Sequence, residues 1–374
     1  MPNLLGRNVF VDKSASEIKG TNMGLSVGIV GLPNVGKSTL FNALTKGHIP
    51  ASNYPFCTTK PNVGIVEVYD EDLDKLYKLV DGTEITYSAI KVIDIAGLIK
   101  GSSHGEGLGN QFLSEIRNVD VILHLVRTFQ NLDIAHIDPQ IDVQRDIEII
   151  ELELALSDLE LINRKLEKVK KLSRTDKKFE QENKLLNIVK EKLEKNAKID
   201  LSDFTDEENK LLSSFQLLTA KPTLFVLNIA EEDISIQDLP YLSICAKLEN
   251  ELVQLPAEEK KTFQLELGLK ESVLPGIIKD CFKLLDLITF YTVESGKVRA
   301  WSIKKGSSAI SAAGLIHSDI AQGFVRAEVT PLQLLMKCGS LLKARETGLT
   351  KTEGKDYYIN DKDVIYFRFS KHVR

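Results

Sequence analysis

A chain of 374 residues with 43% apolar side chains is long enough and apolar enough to form two or three domains with real cores, which places it among soluble globular proteins. Its longest apolar runs, such as residues 119–126, are short and broken by Asp120 and His124, so none is expected to cross a membrane, and a net charge of −5 argues against bulk nucleic-acid binding. The four cysteines, at 57, 245, 281 and 338, have neither paired nor metal-ligand spacing, as expected of a reduced cytoplasmic protein.

Residues 1–22 carry one arginine and no apolar stretch of useful length; they resemble neither a signal nor a transit peptide and are expected to form a disordered extension. Residues 25–30 (LSVGIV) read as a buried strand, and the next stretch, GLPNVGKS at 31–38, has the spacing of a phosphate-binding loop. Glycines there let successive backbone N–H groups point into one concave site, so Asn34, Val35, Gly36, Lys37, Ser38 and Thr39 are the expected cradle for a nucleoside triphosphate. Lys37 would bridge the β and γ phosphates as the catalytic cation. The Ser38 hydroxyl would ligate Mg²⁺, and Thr39 opens a helix whose N-terminus favours anions.

Strands follow at residues 64–68 and 90–94, the second ending in Asp94-Ile95-Ala96-Gly97. Weak alone, D-x-x-G gains specificity about sixty residues after a phosphate loop: Asp94 would hold the magnesium through water and the Gly97 N–H would reach the γ phosphate. The loop at 53–59 between them offers two threonines for the remaining metal position, of which Thr58 is chosen; either could instead cap a turn. A strand at 119–126 contains His124, and two long charged helices are expected over residues 141–171 and 177–198, joined by a polar link into an antiparallel hairpin. From Arg164 to Lys198 there are 13 Lys plus Arg against 6 Asp plus Glu, so a +7 arm projects from a body of −12. That arm is either a polyanion contact or a solvated helical face.

A short helix at 206–218 leads back to strands at 222–228 and 241–246, so the hairpin is an insertion in an α/β fold. From residue 288 the composition turns β-branched and aromatic. Strands at 288–293 and 298–303 form a hairpin, a helix spans 307–316, and strands at 324–329 and 364–369 complete a small α+β module of β-grasp type. The expected division is an α/β P-loop NTPase domain at 23–140 and 219–287, a helical coiled-coil hairpin at 141–218, and a β-grasp domain at 288–372.

Asn34 in the loop, the 53–59 segment with Pro61-Asn62, Asp94-Ile95-Ala96-Gly97-Leu98, Gly105-Glu106-Gly107-Leu108-Gly109-Asn110 and Asn228-Ile229-Ala230-Glu231 together resemble the YchF, or Obg-like ATPase, branch of the translation-factor GTPases. The C-terminal module is similar to that family's TGS domain, above all over residues 303–328. The resemblance implies a cytosolic P-loop ATPase that prefers ATP to GTP, binds ribosomes and modulates translation or stress responses.

The fourth motif shows why. GTP-specific relatives carry N-K-x-D, whose aspartate takes two hydrogen bonds from guanine while the lysine stem packs on the base. Here those positions are Ile229 and Glu231: the first is an apolar wall without charge, the second one methylene too long for the same geometry. Losing such a charge-assisted pair costs several kcal/mol, roughly a hundredfold in affinity. Asn228 could still reach the purine N7 and the adenine amine. The residue after D-x-x-G, often a water-orienting glutamine, is Leu98, so turnover should be slow. Two sources of help are weighed: His124 as a catalytic residue, against the plainer reading of a buried core histidine, and a K⁺ held near Asn34, as related proteins imply. For a partner, the basic hairpin and an Arg299, Trp301, Lys304 surface suit RNA within a ribosome, the chain acting as a monomer. An ordinary GTPase, or an RNA-docking module with structural nucleotide, are the competing readings.

Overall fold

The computed structural model describes residues 25–46, 62–95, 108–130, 140–172, 177–195, 198–234, 241–267, 269 and 272–370. In chain order the N-terminal half runs β1 (Ser26–Val30), α1 (Lys37–Lys46), β2 (Val63–Val68), α2 (Glu71–Leu79), β3 (Glu84–Thr86), β4 (Ser88–Asp94), α3 (Leu108–Arg117) and β5 (Val121–Arg127). Helices α4 (Val143–Leu172), α5 (Lys177–Glu194) and α6 (Asp206–Ser213) precede β6 (Thr223–Asn228), β7 (Leu242–Ile244), α7 (Ala246–Leu252), α8 (Ala257–Glu266) and α9 (Leu274–Leu284). The C-terminal part holds β8 (Leu287–Glu294), β9 (Lys297–Lys304), α10 (Ala309–Ile316), α11 (Ser318–Gln322), β10 (Phe324–Pro331), α12 (Leu332–Cys338), α13 (Leu341–Glu346), β11 (Lys351–Glu353) and β12 (Asp363–Phe369).

The first sheet has the order β2-β4-β1-β5-β6-β7, parallel except for β2. Strand β1 lies at its centre, between β4 and β5, and all five of its residues are buried, as a strand covered on both faces requires. The loop after β1 therefore emerges at the C-terminal edge of the sheet, between its neighbours, where α/β folds bind ligands.

The insertion is a helical hairpin. Ile162, Leu166 and Val169 of α4 join Leu186, Val189 and Leu193 of α5 in one apolar cluster, an i, i+3, i+4 stripe on each helix. Thr205 and Glu208 form a reciprocal cap at the start of α6. A polar latch holds the insertion to the first domain: Asp158 of α4, fully buried, accepts from Arg117 Nη1 at the end of α3 (2.8 Å) and from the backbone N and hydroxyl of Thr219 (both 2.9 Å).

The second sheet has the order β11-β10-β12-β8-β9-β3. Its sixth strand corrects the expected division, because β3 comes from between β2 and β4 and pairs in parallel with β9, Ile85 opposite Val298. Helix α2 accompanies it: Leu73 and Leu76 are wholly buried in a cluster with Tyr291, Val298, Leu332 and Leu335. Polar contacts follow the same seam, Tyr291 Oη to Asp70 at 2.7 Å, Thr83 N to Gly296 O at 2.8 Å and Lys297 to Glu84 at 2.7 Å, with a further ion pair between Lys362 and Asp72. Residues 70–86 thus belong by packing to the C-terminal sheet, although they lie in sequence inside the P-loop domain.

Candidate nucleotide-binding site

The phosphate loop is shaped by two close approaches that only glycine permits. A Cβ on Gly31 would stand 2.4 Å from the Leu125 carbonyl oxygen, and one on Gly36, whose φ is +99°, would stand 2.5 Å from Asn228 Nδ2. Asn34, exposed at the crest of the loop, adopts a left-handed φ of 60°, which asparagine tolerates better than most residues. Lys37, Ser38 and Thr39 then form the first turn of α1, their N–H groups at the helix end that attracts anions.

Lys37 is buried, and its Nζ donates to the Leu32 carbonyl at 2.7 Å, which folds the side chain back over the loop. Burial pulls its pKa down to about 8, partly opposed by the charge of Asp94. Across the loop, Ser38 Oγ donates to Asp94 Oδ2 at 2.6 Å, while Asp94 Oδ1 is buried with no hydrogen-bond partner among the described residues. A hydroxyl oxygen beside a carboxylate with an unsatisfied buried oxygen is the donor set a small hard cation takes, so Ser38 and Asp94 fit Mg²⁺. Thr58 and Gly97, the other two residues expected at the phosphates, lie outside the described residues, as do Leu98 and Cys57.

The fourth motif is arranged differently from its sequence reading. Asn228, at the end of β6, uses part of its amide on the protein itself. Its Nδ2 donates to the Val35 carbonyl at 2.9 Å and its Oδ1 accepts the Ala246 N–H at 3.0 Å, so it ties the phosphate loop to the start of α7. The second Nδ2 hydrogen is left for the purine N7 that the sequence points to. Ile229 is no exposed wall: it is 6% exposed, inside a cluster with Val126, Ile147, Leu227, Cys245, Leu248 and Leu252. Glu231 does reach the surface, where Lys247 Nζ holds its carboxylate at 2.8 Å. Ala246 and Lys247 had no role in the sequence reading; Cys245-Ala246-Lys247, where the short strand β7 gives way to helix α7, was the signal available for them.

His124 is also corrected. It sits mid-strand in β5, opposite Val30 and Phe225, 2% exposed, with its ring 5.4 Å from that of Phe225. Burial, and secondarily the charge of Lys37, push its pKa down to about 3, so the imidazole is neutral and enclosed rather than placed to move a proton to or from attacking water.

Residues 26–229 match the family model described as 50S ribosome-binding GTPase, and residues 287–370 match the YchF GTPase C-terminal model, described as a protein of unknown function. The protein of Bacillus subtilis strain 168 called ribosome-binding ATPase YchF is 44% identical over 365 residues, 93% of this chain and all of that one. The chain belongs to the YchF family. A protein of the same name from Mycoplasma genitalium is 43% identical over 92% of this chain and 99% of its own. Among solved structures, the Schizosaccharomyces pombe YchF GTPase superposes with a TM-score of 0.81 at 33% identity, over 94% of this chain and all of that one. A GTP binding protein from Pyrococcus horikoshii shares the fold, with a TM-score of 0.58 at 19% identity over 92% of this chain and all of that one.

The YchF-type P-loop fold with its C-terminal TGS-like domain is therefore as the sequence led one to expect, while two surfaces differ. In the TGS-like domain, Trp301 is half-buried, stacked on Phe290 at 6.5 Å with its indole N–H donated to Thr292 Oγ1, and Arg299 faces Glu84 at 3.5 Å, so these two do not form an open aromatic and basic patch. On the hairpin, Arg164, Lys184 and Lys190 lie beside Glu160, Glu180 and Glu194, and Lys165 stands 3.9 Å over the Phe215 ring, so several of its basic side chains are paired locally or used in packing. No helix among the described residues is long and apolar enough to cross a membrane.

Proposed function

We propose that this YchF-family chain binds and slowly hydrolyses ATP in the cytoplasm, in preference to GTP, and associates with ribosomes as a monomeric nucleotide switch modulating translation or stress responses. Its curated relatives from Bacillus subtilis and Mycoplasma genitalium are named ribosome-binding ATPases, and the Schizosaccharomyces pombe structure is titled a GTPase, so the base preference is the point that needs a physical reason. The observation that carries it is the Glu231 to Lys247 ion pair. In a guanine reader the carboxylate at this position is free to accept two hydrogen bonds; here it is longer and already engaged by an ammonium group, so guanine gains no specific pair.

In the proposed reaction the backbone of residues 34–39 cradles the phosphates, and Lys37 leaves the Leu32 carbonyl to place its charge between the β and γ groups. Ser38, Asp94 and Thr58 would hold Mg²⁺, which when bound neutralises charge on the transferring phosphoryl group. With Leu98 at the glutamine position and His124 enclosed, no described side chain orients the attacking water, which supports slow intrinsic turnover. The exposed left-handed Asn34 is the residue at which a K⁺ would supply positive charge, and a rate that is higher in K⁺ than in Na⁺ at equal ionic strength tests it. ATP and GTP competing for one labelled nucleotide test the central claim. Tighter ATP binding is expected, and Glu231→Asp with Lys247→Ala, which shortens and frees the carboxylate, should shift the preference toward GTP. Wild-type protein that binds GTP tenfold more tightly would refute the proposal.

A further inference from the structure

The solvent face of the C-terminal sheet carries an arrangement that nucleotide chemistry does not use. Strands β10 and β12 alternate between two faces over residues 326–329 and 365–368, where they pair in register. Ala327, Val329, Ile365 and Phe367 are buried on one face, while Arg326 and Arg368 stand opposite each other on the other, next to the cross-strand pairs of Glu328 with Tyr366 and Glu328 with Thr352. Arg345 reaches the same place from α13. Three arginines from three elements converge on the one carboxylate of Glu328, at 2.9 Å from Arg368, 3.0 Å from Arg345 and 3.6 Å from Arg326.

The chemistry is unbalanced in one direction. The Glu328 side chain is 11% exposed, whereas each arginine is about half exposed, at 46–51%. The hydrogen bond from Arg368, with the charges of all three guanidiniums, holds Glu328 below the usual carboxylate range, so it remains ionised and pins the cluster. One carboxylate offsets one of three positive charges, and three guanidiniums carry many more N–H donors than its two oxygens accept. Arg368 is further fixed by lying 4.5 Å over the Tyr366 ring. The result is an open cleft of about 230 Å³ lined by Glu328, Arg345, Thr350, Thr352 and Arg368, with preset guanidinium planes and threonine hydroxyls at its walls. Planar guanidiniums held in place, with donors to spare, match the oxygens of a phosphate.

We infer that this arginine cleft on the β10, β11 and β12 face binds the phosphodiester backbone of ribosomal RNA. The inference rests on the ribosome association proposed above and gives that association a site. RNA is favoured over an acidic protein because the donors are forked arginines beside hydroxyls on a flat, open sheet, a surface that takes successive tetrahedral phosphates without reading bases. The chain as a whole is acidic, so attraction to a polyanion must come from a local excess of this kind.

The test is binding of the full-length chain to ribosomes by co-sedimentation, and to protein-stripped ribosomal RNA by filter retention, each across a salt series. The Arg345→Ala, Arg368→Ala double variant should bind both about tenfold more weakly at low salt. Its plot of log affinity against log salt should be shallower by about 1.5, at roughly 0.7 to 0.9 per lost phosphate contact. Thr352→Glu, which places a carboxylate at an exposed cleft wall and removes no existing pair, should weaken RNA binding in the same direction, with ATP affinity unchanged in all variants. RNA binding equal to wild type in both variants overturns the inference while leaving ribosome association standing. Loss of ribosome binding with intact RNA binding identifies a ribosomal protein as the partner and also overturns it. If the wild type binds neither ribosomes nor RNA, the association itself is refuted.

Discussion

Replacing His124 by phenylalanine isolates one titration that the fold imposes. The ring is 2% exposed and its pKa falls from 6.5 to about 3, with burial the main cause. Because the folded-state value lies below that of the unfolded chain, the unfolded chain takes up a proton that the native state refuses as pH drops. The stability tied to neutral His124 is fully present above about pH 6.5 and is lost progressively as pH falls toward 3. Integrating over that window gives a loss of about 2 kcal/mol at pH 5 and about 3 kcal/mol at pH 4 relative to pH 7.5. Phenylalanine keeps the aromatic contact with Phe225 and cannot titrate. Urea unfolding of both proteins at pH 7.5, 5 and 4, followed by circular dichroism, should show the wild type losing these amounts relative to the variant, a difference in which all other titrating groups cancel. Parallel losses in the two proteins would mean that the imidazole ionises in place, and the argument against a proton-transfer role for His124 would fail with it.

Three further outcomes follow from the same site. Lys37, with a pKa near 8 in the free protein, must be protonated to hold a triphosphate, so ATP affinity should fall as pH rises through about 8; calorimetry in buffers of different ionisation heat should show proton uptake above that pH, absent in Lys37→Ala. Gly36→Ala puts a Cβ 2.5 Å from Asn228 Nδ2 at a φ of +99°; a cost of about 2 kcal/mol or more and a loss of ATP affinity of at least tenfold are expected, read from thermal midpoint and nucleotide titration. Asp158→Ala removes a fully buried acceptor and leaves the Thr219 N–H unpaired, while Arg117 keeps its bonds to Ser157 and the Gln216 carbonyl, so the thermal midpoint should drop by an amount corresponding to about 2 kcal/mol, with Asp158→Asn milder because it keeps an acceptor.

Much of this molecule is written in short-range signals. The spacing from Gly31 to Ser38 is a local conformational demand, the apolar run ahead of it can only be a buried strand, and the i, i+3, i+4 stripe of the hairpin helices follows from helical period alone. In the fourth motif the protein partners of Asn228 are not legible locally. An asparagine amide has donors and an acceptor to spend, and whether a base or the protein takes them depends on groups far off in sequence: the Val35 carbonyl is 193 residues away and the Ala246 N–H 18. The same reason hid β3. Three residues carry no periodicity to recognise, and their place is set by pairing with β9 more than two hundred residues later, in the C-terminal sheet. The arginine cleft is of this kind too, since Arg326, Arg345 and Arg368 are unremarkable surface residues until two strands and a helix bring them to one glutamate. Local sequence determines which elements form and where a loop must turn. Only the tertiary structure decides which donors and acceptors meet, because a hydrogen bond or ion pair is specified by both partners and the chain records their separation in residues, not in space.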